Sequence, residues 1–192
     1  MKTIDFKAIN RTESGKKAAK AARRNKLVPC VIYGGGDNVH FSVSEKEIRA
    51  ILYTPNSYII NFDIEGKKET VVMREVQYHP VFDQILHIDF YRVQEGKPVI
   101  VNVPIELTGV SAGVKEGGKI FLSARKVKIC GLVEKLPDSV KVDVTDVKLG
   151  GSVFVGHLSS EDYSFVTPAS TAICSVQMTR AARGDAAKGD AE

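Results

Sequence analysis

The stretch Ile85-Leu86-His87-Ile88-Asp89-Phe90-Tyr91 alternates apolar and polar residues. Side chains on a strand have period two, so Leu86, Ile88 and Phe90 share one face and His87, Asp89 and Tyr91 the other. The first face is a core face. The second sets a donor, an acceptor and an aromatic ring in a row on a rigid element, an arrangement suited to reading a polar partner. The basic segment from Lys16 to Lys26 lies in the same half of the chain and points to an anionic partner.

A chain of 192 residues with 43% hydrophobic content holds one large or two small globular domains. The absence of tryptophan is no obstacle to a β-rich core of Val and Ile. The net charge of +4 is unevenly spread. Residues 1–26 carry nine Lys/Arg against Asp5 and Glu13, a net of +7, and the rest of the chain nets −3. One basic patch on a near-neutral body reads as a local anion-binding surface, with a merely solvated face as the plain alternative.

Cys30, Cys130 and Cys174 are far apart and form no CxxC. Each has apolar neighbours, so all three read as small core residues. The N-terminus has no apolar leader segment, and no run approaches a membrane span. A reducing, cytoplasmic setting is the expectation.

Residues 1–10 read as extended. Ser14 is a candidate N-cap for an alanine-rich basic helix over Gly15 to Arg24, whose small side chains make only a shallow apolar face. Val28 to Tyr33 is a strand that ends in the turn Gly34-Gly35-Gly36-Asp37-Asn38, and His40 to Val43 is a second strand. Ser44 and Glu47 form a capping box ahead of Ile48, Ile51 and Leu52, the stripe of a short helix that ends before Pro55. Strands follow over Ser57 to Ile64, Glu69 to His79 and Ile85 to Val93, with a turn at Glu65-Gly66.

Glu95-Gly96-Lys97-Pro98 reads as a domain boundary. Beyond it Val99, Val101, Val103, Ile105 and Leu107 alternate, as do Val140, Val142 and Val144. Together with Val127, Ile129 and Ala172 to Val176 they predict a second, mainly β domain over residues 97–178. Residues 179–192 read as a disordered tail.

The triple glycine after the first strand lacks the Lys-Ser/Thr of a phosphate loop and reads as a tight turn. His79, His87 and Asp89 are metal-ligating types, but no HExxH and no cysteine partner accompany them, so no metal is expected. No GxSxG and no cofactor motif occur, which leaves the His-Asp pair without a nucleophile. RNA suits the residues better. Arg and Lys neutralise phosphates, and the wide minor groove of an A-form helix offers base edges and 2′-hydroxyls to His, Gln and Asp on a sheet. An aspartate facing a polyanion is unfavourable unless it accepts a hydrogen bond or orients a neighbour, so Asp89 is more specific than another lysine.

Arg11, Gly15-Lys16, Arg23-Arg24, Val28-Pro29 and Val31-Ile32-Tyr33-Gly34-Gly35 resemble the N-terminal signature of a bacterial family, large-subunit ribosomal protein number twenty-five. Val76-Gln77-Tyr78-His79-Pro80 and Ile85 to Phe90 resemble its second signature. Val103-Pro104-Ile105, Leu107 to Val114, Glu116-Gly117-Gly118 and Val142-Asp143-Val144 resemble the extra domain of its long form, also called the Ctc general stress protein.

The resemblance implies a six-stranded barrel-like N-terminal domain with short helices over residues 1–96, then the C-terminal β domain. It implies binding to 5S rRNA at loop E and its flanking helix, through the minor groove, within the large ribosomal subunit beside neighbouring ribosomal proteins. Arg11, Arg23, Tyr33, His87 and Asp89 match positions implicated in RNA contact, with Lys16, Arg24 and Gln77 as further candidates. Ala22-Arg23-Arg24-Asn25 lacks the glycine many members carry here, which leaves open which arginine reaches the RNA. No enzyme, cofactor, small-molecule substrate or membrane partner is expected. A stress-related RNA-binding role off the ribosome is the alternative. The C-terminal domain has nine Lys/Arg against eight Asp/Glu over residues 97–178, so it is not expected to dominate RNA binding.

Overall fold

The computed structural model describes residues 1–13, 15–94 and 96–179. The expected N-cap at Ser14 and the tail beyond Thr179 lie outside them. The described residues form two compact units, Met1–Val101 with Leu132–Asp138, and Asn102–Gly131 with residues 139–179.

The first unit is a closed six-stranded barrel. Its elements are β1 (Lys2–Asn10), α1 (Lys16–Arg24), β2 (Leu27–Tyr33), β3 (Val39–Ser44), α2 (Glu45–Leu52), β4 (Tyr58–Ile64), β5 (Lys67–Tyr78) and β6 (Ile85–Arg92). The spatial order is β1-β3-β2-β6-β5-β4. Two parallel pairings join strands distant in sequence: β1 to β4, from Lys2 opposite Tyr58 to Ala8 opposite Ile64, and β2 to β6, from Cys30 opposite Ile88 to Tyr33 opposite Tyr91. The first of these closes the barrel, so no strand edge is left open within it.

A barrel this narrow is filled by its own side chains. Phe62 stands at the centre, with ring centroids 4.8 Å from Phe41 and 4.9 Å from Phe90, the latter nearly edge-on at 74°. Ile32, Val43, Ile60 and Ile88 complete a fully buried layer around them. The α2 stripe contributes Ile48 and Ile51 to the core, as the periodicity predicts. The expected capping box is not formed: Ser44 sits at the N-cap but makes no side-chain bond to the helix.

Two irregularities set which residues face out. The β5–β6 register shifts between Met73 and Glu75, which makes Arg74 an extra residue, and again between Gln77 and Tyr78, which makes Leu86 one. Each bulge reverses the inward–outward alternation beyond it. Ile85 is consequently the buried residue at the start of β6, and Leu86, predicted on the core face, is only half-buried. From His87 onward the predicted alternation holds.

The second unit is also β. It contains β7 (Val99–Thr108) from Asn102 onward, α3 (Ala112–Lys115), β8 (Gly118–Leu122), β9 (Lys126–Gly131), β10 (Val140–Asp143), β11 (Ser152–Phe154), β12 (Tyr163–Phe165) and β13 (Ala172–Met178). They make a four-stranded sheet, β10-β7-β9-β12, and a three-stranded sheet, β11-β13-β8. The alternating valines are buried as their spacing predicts, with Lys141 and Asp143 outside. Cys30 and Cys174 are buried core residues, but Cys130 is only half-buried and departs from that expectation.

Removing the central ring leaves a cavity that a closed barrel cannot collapse around. Phe62→Ala is expected to cost about 3–5 kcal/mol of stability, measured by denaturant unfolding. A loss below about 1 kcal/mol would contradict the packing described.

Candidate nucleic-acid interface

His87 and Asp89 stand two apart on β6, so they share the outward face. The ring Nδ1 and the Asp89 Oδ1 are 2.7 Å apart, and each side chain is 29% exposed. With the proton on Nδ1, the imidazole donates to the carboxylate. That bond fixes the ring plane and leaves Nε2 to accept from a hydroxyl or amino group outside.

The neighbouring strands extend this face. On β5, Gln77 lies opposite His87 and Glu75 opposite Asp89, both exposed because the Arg74 bulge has turned them outward. On β2, Val31 lies opposite Asp89 and Tyr33 opposite Tyr91. On β3, His40 lies opposite Val31, and its carbonyl accepts from the Arg11 backbone N–H at 3.0 Å. Arg11, just past the end of β1, and His40, Val31, Asp89 and Glu75 on four successive strands thus form a row roughly 20 Å long at the usual strand spacing. Burial pushes the Cys30 thiol far above its usual range, the Asp89 carboxylate raises it further, and Arg11 opposes the rise.

The tyrosines form a corner at one end of the face. The rings of Tyr33 and Tyr91 meet edge to face, 5.8 Å between centroids at 78°. Gly34 makes room for them: its φ is +96°, and a Cβ there would stand 2.7 Å from the Tyr91 ring. Arg92 holds the following loop in place. Its Nη1 donates to the Gly34 carbonyl at 3.0 Å, while Nε and Nη2 grip Glu69 at 2.7 and 3.3 Å. A two-pronged, half-buried pair of this kind is strong and directional.

The basic helix lies beside the face. Ala18, Ala19 and Ala22 are half-buried, one side of α1, and Pro29 on the outward side of β2 is buried where the helix packs. Lys16, Lys17, Lys20, Arg23 and Arg24 are all exposed. Nine residues are too few for an isolated helix, and α1 has no acidic residue in its first turn and no side-chain cap. Packing and one specific bond therefore anchor it: Arg23 Nε donates to the Leu86 carbonyl at 3.1 Å. Leu86 is the bulged residue, left out of the ladder, so its carbonyl is open to a side-chain donor. Arg24 instead borders a cleft of about 270 Å³ with Arg23, Lys26, Leu27, Val28, Glu45, Gln84 and Ile85.

The structure thus gathers His87, Asp89, Gln77 and Tyr33 on one face, puts Arg11 at its far end, and ties Arg23 to its near edge. Lys16 and Arg24 are cations on the flank. Sequence reasoning missed His40, Glu75 and Arg92 as site-builders. No signal near them in sequence marks them, because their positions depend on strand pairings and on a bulge. Among the described residues no cluster of His, Cys, Asp and Glu could hold a metal ion. His79 is engaged otherwise, accepting backbone N–H bonds from Val81 and Phe82. No helix among the described residues is long and apolar enough to cross a membrane.

Comparison with known proteins gives two family matches. The Ribosomal L25p family matches residues 6–90, and the family described as Ribosomal protein TL5, C-terminal domain, matches residues 98–180. The chain is 42% identical to the large ribosomal subunit protein bL25 of Bacteroides thetaiotaomicron, over 97% of this chain and 98% of that one. Its identity to the protein of the same name from Porphyromonas gingivalis is also 42%, over 98% and 99% of the two chains.

Gly34→Ala tests the tyrosine corner. The left-handed backbone and the ring contact together should cost about 1–2 kcal/mol, read by thermal unfolding, with a change in the tyrosine near-ultraviolet circular dichroism. An unchanged spectrum and stability would contradict the packing of Gly34 on Tyr91.

Proposed function

The chain belongs to the ribosomal L25p family, in the form that carries a TL5-type C-terminal domain, and from that premise we propose that it is a structural component of the bacterial large ribosomal subunit that binds 5S rRNA at loop E and its flanking helix. Members of this family are structural proteins of the ribosome, not enzymes. The single observation that carries the RNA reading is the His87–Asp89 pair, fixed by its 2.7 Å bond on the outward face of β6 beside the docked Arg23.

The division of labour follows from the chemistry. The exposed cations of α1 draw in the phosphate backbone and set its register, without regard to sequence. The sheet face reads what the wide minor groove presents: 2′-hydroxyls and base edges. His87 meets them through Nε2, Gln77 offers both a donor and an acceptor, and Asp89 holds the histidine ring while its remaining lone pairs accept from an amino group or hydroxyl. The near-neutral C-terminal unit supports a spacing or protein-contact role among ribosomal neighbours in the cytoplasm.

The anchoring of Arg23 favours it over Arg24 as the arginine that reaches the RNA. Its Nε is held by the bulge carbonyl while the side chain stays exposed, so its terminal nitrogens would bind a phosphate with less rotamer freedom to lose. Affinity for 5S rRNA is expected to fall linearly on a log–log plot against salt, and Arg23→Ala should flatten that slope by about one phosphate contact. Arg24→Ala should change it less. Equal effects of the two substitutions would contradict the assignment.

His87→Ala should leave the salt slope unchanged and reduce the preference for loop E over a plain RNA duplex by about 1–3 kcal/mol. Competition binding with the two RNAs measures it. Wild-type affinity that is equal for both RNAs would overturn the recognition reading.

A further inference from the structure

The turn that joins β5 to β6, His79-Pro80-Val81-Phe82-Asp83-Gln84, exposes two large apolar side chains that no core accounts for. Val81 is 74% and Phe82 is 70% exposed. The turn is nevertheless tightly built. The His79 N–H donates to the Gln84 carbonyl at 2.8 Å, and the Asp83 N–H to the His79 carbonyl at 3.1 Å. His79 Nδ1 accepts from both the Val81 and Phe82 N–H groups at 3.3 Å. The imidazole lies 5.0 Å from the Phe82 ring, and Asp83 adopts the left-handed conformation at φ 51°. A buttressed aromatic ring facing water adds little to folding. It does form a platform whose position is set before any partner arrives.

The surroundings indicate the partner. Gln84 and Ile85, where the turn rejoins β6, line the cleft with Arg23, Arg24 and Lys26. On the hairpin side, one cross-strand residue pair, Tyr78 with Ile85, and the bulged Leu86 separate the turn from Gln77 and His87. The turn that carries the ring therefore starts at the end of the polar face and runs, through Gln84, into a cleft lined by three cations and Glu45. An apolar protein surface laid on Phe82 would bring the neighbouring cations near apolar groups, at a desolvation cost. RNA supplies phosphates to the cations and a base to the ring.

We propose that Phe82 is a stacking platform for an unstacked or helix-terminal base of the bound RNA, carrying the interface about 10 Å beyond the Gln77–His87 pair. The inference rests on the RNA-binding reading above. Val81 adds apolar contact at the rim. His79 acts as a positioning residue that fixes the turn.

The chain has no tryptophan, so Phe82→Trp introduces a single indole at the site. With 5S rRNA as the probe, the indole emission of the Phe82→Trp full-length protein should be quenched in step with RNA retention measured independently on filters. Phe82→Ala should weaken retention about tenfold, the usual worth of one stacked base, with an unchanged unfolding midpoint. RNA retained with unaltered emission and undiminished Phe82→Ala affinity would overturn the inference and leave the RNA-binding reading standing. Emission that responds only within assembled large subunits would overturn it in favour of a protein neighbour. Failure of the wild type itself to retain 5S rRNA would bring down the underlying reading, and the inference with it.

Discussion

The structure depends on how β6 is held. It is hydrogen-bonded along both edges, parallel to β2 and antiparallel to β5. Its inner face places Ile88 and Phe90 against the Phe41–Phe62 cluster, where both are fully buried. A slip of one residue would exchange the faces and drive His87 and Asp89 into the barrel. Burying a carboxylate without full compensation costs several kcal/mol, so the aromatic core enforces the outward display of the polar pair. The same pairing sets Tyr33 against Tyr91, and the Leu86 bulge beside it gives Arg23 its acceptor. Folding and presentation of the interface are in this sense one event.

Electrostatics divide the work within the first unit. The cations of α1 are exposed, long-ranged and sensitive to salt, and they carry no sequence information. The sheet face carries the acids, Asp89 and Glu75, which repel a polyanion unless a donor is presented to them. That opposition is useful. Under the proposed RNA-binding role, the helix would raise affinity for any RNA, and the face would penalise one that cannot supply the matching groups. Specificity would then come as much from rejection as from attraction.

Much of this was legible in the sequence, and the reasons are local. The alternation from His87 to Tyr91 placed the polar row correctly, the stripe of Ile48 and Ile51 placed α2, and Glu65-Gly66 marked the β4–β5 turn, where both residues take positive φ. Six strands closing into a barrel came from the family resemblance; hydrophobic period does not encode which distant strands pair. The missed features depend on pairing. The bulge at Leu86 exchanged it with Ile85 in the core. His40 and Glu75 joined the row only through β3 and β5. His79, with the chemistry of a metal ligand, turned out to accept backbone N–H bonds in its own turn, and Ser44 reached an N-cap position without forming the side-chain bond.

In the proposed role, the outward face of β6, with α1 beside it, is the surface that meets 5S rRNA. Amide chemical-shift mapping of the full chain, titrated with 5S rRNA, probes that surface residue by residue. The largest changes are expected at Lys16–Arg24, at His87, Asp89 and Tyr91, and at Glu75 and Gln77 across the pair. Changes confined to residues 102–131 and 139–179, with β6 and α1 unaffected, would overturn that assignment.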